Sequence, residues 1–222
     1  MNAGTTLRAV AISCVCLSLP AIVYGREWTL GARVGMNVAD VAGEASRGME
    51  SRTAFVAGIA ARRSISEVFE IQPEVLYSQK GAKYSFTTGP GPGGVPGQTY
   101  HVTEQLDYID LPILLKIGLP KQSSVSPALL LGPSIGFFLK GKLNTSPSGP
   151  DEDPAVNSFD LGIVLGLELQ NGAYHGFVLD ARYTRSLKTI SELMSTPSIQ
   201  QTGQGGTSEL LNSVISVSLG VH

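Results

Sequence analysis

The chain has 222 residues, a formal net charge of −2 and only 15% charged side chains, against about a quarter in an average soluble domain. The near-neutral balance gives no electrostatic basis for a nucleic-acid partner, and no apolar run after residue 25 is long enough to cross a membrane as a helix. Glycine is abundant at 26 residues, and low charge with high glycine suits a β protein that shows apolar surface.

In chain order, residues 1–25 read as a secretory signal peptide. Arg8 supplies the positive end, Ala9 to Leu19 the apolar centre, Pro20 the break, and Val23-Tyr24-Gly25 a small-residue cleavage site near Gly25. Both cysteines, Cys14 and Cys16, lie in this segment. The mature part, residues 26–222, then has no disulfide and no thiol chemistry.

Eight strands follow. Trp28 to Val38 alternates, with Trp28, Leu30, Ala32, Val34, Met36 and Val38 on one face. Arg52 to Arg63 carries Phe55, Ala57, Ile59 and Ala61 on one face. Phe69 to Tyr77 alternates too, with Pro73 predicting a bulge or a locally broken ladder. Ile109 to Ile117 is the fourth strand. Leu106 and Tyr108 are out of phase with its apolar row, which predicts a bulge near Tyr108. Leu129 to Leu139 is the fifth, with Lys140 on its polar face. The sixth, Phe159 to Gln170, has the cleanest pattern. Phe159, Leu161, Ile163, Leu165, Leu167 and Leu169 form one row; Asp160, Gly162, Val164, Gly166, Glu168 and Gln170 form the other. A period of two means a strand with two unlike faces. Asn171-Gly172 is a hairpin signal, Phe177 to Tyr183 is the seventh strand, and Leu211 to Val221 the eighth.

The links alternate long and short. The long ones, 39–51, 80–104, 141–157 and 186–207, all fall at one end. This predicts an all-β, eight-stranded antiparallel up-and-down transmembrane β-barrel, preceded by the cleavable signal peptide, with short turns on one side and long outer loops on the other. The alternative is a soluble, lipocalin-like barrel with the apolar rows inside. Against it, the apolar rows are too bulky for a narrow eight-stranded interior, and the opposite rows are too poor in charge for a solvated exterior. With the membrane orientation, Trp28, Phe69 and Phe177 form an interface aromatic girdle at the turn side, and Tyr77, Phe159 and Tyr183 one at the outer side. Arg33, Glu70, Glu74, Asp110, Lys116, Lys140, Asp160, Glu168, Asp180 and Arg182 then point into the lumen. Opposite charges in so small a space must pair, so a structural polar network that plugs the lumen is expected, with Glu70 and Lys116 as one pair. Gly166→Ser, on the lumen side, is expected to cost much less than Leu165→Arg in the apolar row.

The phrases Glu74-Val75-Leu76-Tyr77-Ser78-Gln79-Lys80-Gly81 and Tyr108-Ile109-Asp110-Leu111-Pro112, together with the order of segments from Glu27 to His222, resemble the PorT-like family of outer-membrane β-barrels, common in Bacteroidetes-type Gram-negative bacteria. The resemblance implies an integral barrel in the cell outer membrane. A role in a secretion system belongs to the family's name-giving member. Unlike many such barrels, this chain ends on Gly220-Val221-His222 rather than on an aromatic residue.

No chemistry-bearing constellation stands out. His101, His175 and His222 have no metal-ligand spacing. Gly89 to Gly97 lacks the Lys-Ser/Thr of a phosphate loop. Asp151-Glu152-Asp153 reads as a solvated loop tip. A His101/Asp107 dyad is the one catalytic pairing to consider. The expectation is therefore a non-enzymatic barrel without cofactor or metal, serving a structural or surface-interaction role. Its partners would be outer-membrane lipid, the barrel-assembly machinery during biogenesis, and a surface partner at the four long loops. A narrow, porin-like transport channel or a secretion-associated barrel is the alternative.

Overall fold

The computed structural model describes residues 28–42, 49–89, 91, 96–120, 124–147, 157–171, 176–187 and 211–221. The signal segment, Asn171-Gly172 as a complete turn, the 151–153 acidic run and most of the 186–207 loop therefore lie outside the described residues. The strands are β1 (Thr29–Ala42), β2 (Met49–Ser64), β3 (Phe69–Lys80), β4 (Ala82–Thr87), β5 (Thr99–Gly118), β6 (Val125–Ser146), β7 (Phe159–Asn171), β8 (Phe177–Ser186) and β9 (Leu211–Val221).

Every described pairing is antiparallel, and the sheet closes on itself. On β1, Val34 faces Ala57 of β2 on one side and Leu219 of β9 on the other. β3 and β4 occupy one position in the ring, both lying between β2 and β5. They are separated at Gly81, whose φ of 123° belongs to the left-handed region and whose missing Cβ would run into the Glu104 carbonyl. The ring thus has eight staves, and closure leaves no open edge in the barrel wall.

β7 shows the two faces most cleanly, alternating exposed and buried through all 13 residues. Leu165 and Leu167 are each 55% exposed, while Glu168 is 0% exposed. The same inversion holds around the ring: Val34, Ile59, Val75, Ile113, Leu131, Leu179 and Val217 face outward, whereas Arg33, Glu74, Lys116, Asp180 and Arg182 are buried. The bulky apolar rows are outside, and the lipocalin-like orientation is excluded.

Both predicted irregularities are present. Beside Pro73 the β2–β3 ladder skips between Ala60↔Glu74 and Arg63↔Ile71, without a register shift. That is the local break expected where no N–H is available to donate. On β5–β6, Asp107 faces Lys140 but Tyr108 faces Phe138, which leaves Leu139 without a partner.

Three expectations are corrected. Lys140 does not enter the lumen; the bulge at Leu139 turns it outward, where its side chain is 77% exposed and its Nζ lies 3.6 Å from Asp107. The loops of 39–51, 80–104 and 141–157 are shorter than the sequence implied. β4 pairs with β5 as far as Thr87↔Thr99, β5 pairs with β6 up to His101↔Ser146, and β1 and β2 extend to Ala42 and Met49. These extensions are rich in Thr, Ser and Lys, so they lack the apolar row that marks a membrane strand, yet their backbones still pair. Finally, Gly166→Ser cannot be mild, since a Cβ there would lie 2.9 Å from the Ala181 carbonyl oxygen and 2.9 Å from Arg182 Cγ.

Candidate lumenal site

The alternating strands aim one polar row each into a narrow interior, and the charges meet in two layers. At the short-turn end, Glu70 and Lys116 lie opposite each other on β3 and β5. Lys116 Nζ is 3.3 Å from Glu70 Oε2 and 2.6 Å from Glu168 Oε1. Arg62 Nη1 is 3.9 Å from each of the same two carboxylates and donates to Gln170 Oε1 at 2.6 Å.

One step further in, Arg33 pairs with Asp180 and approaches Glu74 at 3.2 Å and Glu168 at 3.8 Å. Arg182 holds Glu74 with two bonds, 2.6 and 3.0 Å, and Asp180 with a third at 2.9 Å. Gln72 donates to Glu74 and Ser218 to Asp180. Such bidentate, multiply bonded geometry is what a buried ion pair needs to offset its desolvation.

Above this layer the wall turns to hydroxyls and amides. Asn37, Ser78, Ser134, Thr184, Ser216 and Ser218 border a cavity of about 40 Å³. Asn37 donates to Ser78 at 3.0 Å and accepts from Ser216 at 2.8 Å. Val56, Leu76, Pro112, Val164 and Val214 also line it, so most of its surface is apolar.

The outer layer is smaller. Lys80 Nζ lies 3.0 Å from Asp110 and 3.5 Å from Asp160, and Ser186 and Asn212 also donate to Asp160. Tyr108 covers this layer, its ring 4.6 Å from Lys80 Nζ and edge-on to Phe138. Tyr108 and Leu106 are each 1% exposed, so an apolar cap lies over the outer layer.

All nine of the lumenal residues other than Lys140 thus fall into the two layers: Arg33, Glu70, Glu74, Lys116, Glu168, Asp180 and Arg182 in the inner one, Asp110 and Asp160 in the outer one. Two cations escaped the sequence reading. Arg62 has the same parity on β2 as buried Val56 and Ala60, a signal that was available. Lys80 has the parity of Glu74 and Ser78 on β3, but it borders the Gly/Pro-rich stretch, whose composition signals a loop.

The aromatic residues sit where the rows end. Trp28, Phe69 and Phe177 are exposed at the short-turn rim, with the Arg63 guanidinium 5.9 Å from the Trp28 ring. Tyr77, Phe159 and Tyr183 stand towards the other rim. The His101/Asp107 dyad is not assembled. His101 Nδ1 meets Ser85 Oγ at 2.8 Å, Asp107 accepts from Gln79, and the two residues are separated by about 20 Å of extended strand. Among the described residues no cluster of His, Cys, Asp and Glu could hold a metal ion.

A closed barrel with a bulky apolar exterior and a charged interior defines the class of membrane-spanning β-barrels. Residues 17–192 match the family described as "Outer membrane protein beta-barrel domain". The chain therefore belongs to that family, whose place is the outer membrane. Among solved structures it is similar to Neisserial surface protein A, at 14% identity and a TM-score of 0.45, covering 86% of this chain and 96% of that one. It is also similar to Ail, the attachment invasion locus protein of Yersinia pestis, at 14% identity and a TM-score of 0.43, covering 86% and 96%. A third likeness is to OprG from Pseudomonas aeruginosa, at 13% identity and a TM-score of 0.41, covering 86% and 94%. No curated protein matches the sequence.

Proposed function

We propose that this protein is a non-conducting outer-membrane barrel whose task lies at its outer surface, with the lumen serving as a structural plug and no catalysis. The observation that carries this reading is the sequence of obstacles along the axis: an inner ion-pair layer, then Lys80 held between two aspartates, then the Tyr108/Leu106 cap. An eight-stranded interior is only wide enough to be filled by side chains, and here they are locked to one another. The aromatic rims act as the interface girdle. Residues 1–25 act as a leader removed near Gly25, and the assembly machinery and membrane lipid are the partners in biogenesis.

The surface part of the reading rests on the extension of β4, β5 and β6 beyond the apolar belt. There Phe86 and Tyr100 stack at 5.3 Å, flanked by the Thr87–Thr99 and Ser85–His101 bonds. This ordered blade would present the neighbouring loops to a partner. Within its family, the Glu74–Gly81 and Tyr108–Pro112 phrases favour the PorT-like branch.

The test has two arms. Reconstituted in a planar bilayer, the barrel should show conductance near zero; steady single-channel steps would support the channel alternative instead. Replacing residues 88–98 with a short turn should abolish surface binding while heat-modifiable migration on gels, the mark of a folded barrel, is retained.

A further inference from the structure

The outward row of β8 runs Phe177, Leu179, Ala181, Tyr183, Arg185. Its first four members belong to the apolar and aromatic exterior. Arg185, next beyond Tyr183, is exposed and makes no ion pair with a carboxylate among the described residues. This sets it apart from those cations of the barrel wall that meet a carboxylate or an aromatic ring. Arg33, Arg62, Lys80, Lys116 and Arg182 pair inside the lumen, Lys140 pairs with Asp107, and Arg63 lies over Trp28.

The surroundings of Arg185 are polar and convergent. It faces Ile163 on β7 and Ser213 on β9. Ser213 Oγ donates to the Tyr183 phenol oxygen at 3.1 Å, and Arg185 follows Tyr183 on the same outward row. Below Tyr183 on the same row, Ala181 stands between Leu167 of β7 and Val217 of β9. A methyl group between two larger side chains makes a shallow dent in an otherwise bulky surface. So a guanidinium, a phenol and a hydroxyl lie at the outer edge of the apolar belt, immediately above a gap in it.

A guanidinium is matched best by a group that accepts two parallel bonds, and phosphate oxygens do so. The Tyr183 hydroxyl, which accepts from Ser213, adds a further donor, and the dent below suits a hydrocarbon chain. One kind of molecule offers both parts at that depth. We propose that Arg185, Tyr183 and Ser213 bind the phosphate of an outer-leaflet lipid, with an acyl chain of the same lipid lying over Ala181. This inference rests on the membrane-barrel reading above.

The experiment uses the full barrel folded in detergent, with heat-modifiable migration checked for every variant; a wild type that fails this check defeats the membrane reading itself. Lipid A with its phosphates and enzymatically dephosphorylated lipid A are offered in turn, and retained lipid is counted by native mass spectrometry. The wild type should retain the phosphorylated form about tenfold better, as expected for one charge-assisted contact. Arg185→Gln should abolish that preference and Tyr183→Phe should reduce it, whereas Arg63→Gln, at the opposite rim, should leave it intact. Equal retention of the two lipids by the wild type, or a preference that survives Arg185→Gln, overturns the proposal. Displacement of the lipid by inorganic phosphate alone would show a free-anion site and overturn the lipid assignment.

Discussion

The two halves of the lumen fill the same kind of space by different means. In the inner half, four cations (Arg33, Arg62, Lys116, Arg182) interleave with four carboxylates (Glu70, Glu74, Glu168, Asp180), and most charges touch two or more of opposite sign. In the outer half, Lys80 alone serves Asp110 and Asp160, and neutral donors and an aromatic cap complete the layer. The difference is one of charge balance: cations match carboxylates one for one in the inner half, whereas one cation and two neutral donors serve two aspartates in the outer half. It also predicts an order of fragility.

The sharpest break is at Glu74, which Arg182 grips bidentately and Arg33 approaches at 3.2 Å. Glu74→Gln leaves two buried guanidinium groups short of charge and should cost about 3–5 kcal/mol, read as a lowered urea midpoint in lipid vesicles. Trp28, the single tryptophan, supplies the fluorescence signal. On the outside of the same wall, Leu165→Arg should cost about 2–4 kcal/mol by placing a charge in the middle of the lipid-facing belt; a change below 0.5 kcal/mol, roughly the level of a neutral surface substitution, would mean that the row is not in lipid. Lys80→Met should cost less than Glu74→Gln, about 1–3 kcal/mol, because Ser186 and Asn212 still serve Asp160. If the two lumenal substitutions prove equal, the inner and outer layers are not different in kind.

The last effect is one of pH. Glu104 lies on the β5 extension beyond the apolar belt, opposite Leu143 of β6 and on the same row as Val102 and Leu106. Its Oε1 is buried without a hydrogen-bond partner, and burial pushes its pKa up to about 7. A carboxyl with a raised folded-state pKa stabilises the fold fully below its unfolded value of about 4.5, and the stabilisation is lost as pH rises through about 7. Amide exchange in β4 and β5 should therefore speed up between pH 5 and 8 beyond its chemical rate, a range set about the two pKa values, and Glu104→Gln should flatten that excess.

How much of this was legible beforehand follows from what a period-two pattern contains. β7 was read correctly to within a residue, because Leu and Ile alternate with Gly, Asp and Glu on every step. The outward sense of the rows was also recoverable, since five or six apolar side chains on most strands cannot fit a narrow interior. Parity placed nine lumenal charges and could have placed Arg62. It failed at Lys140, because a single unpaired residue, Leu139, reverses every side chain beyond it. It failed at Gly166 as well: the close approach of the Ala181 carbonyl and Arg182 depends on cross-strand register, which one strand's sequence does not contain. The extensions of β4, β5 and β6 were read as loops because strand pairing above the membrane rests on backbone bonds, which leave no apolar signature.

The central claim is that the apolar rows face lipid and the charges face a filled interior. Leu165→Trp in a Trp28→Phe background, reconstituted in vesicles whose lipids carry bromine near the middle of the acyl chain, tests it directly. Strong quenching by the brominated lipid, with little quenching by aqueous iodide, is the result predicted. Fluorescence indifferent to bromine would place Leu165 inside the barrel and contradict the account.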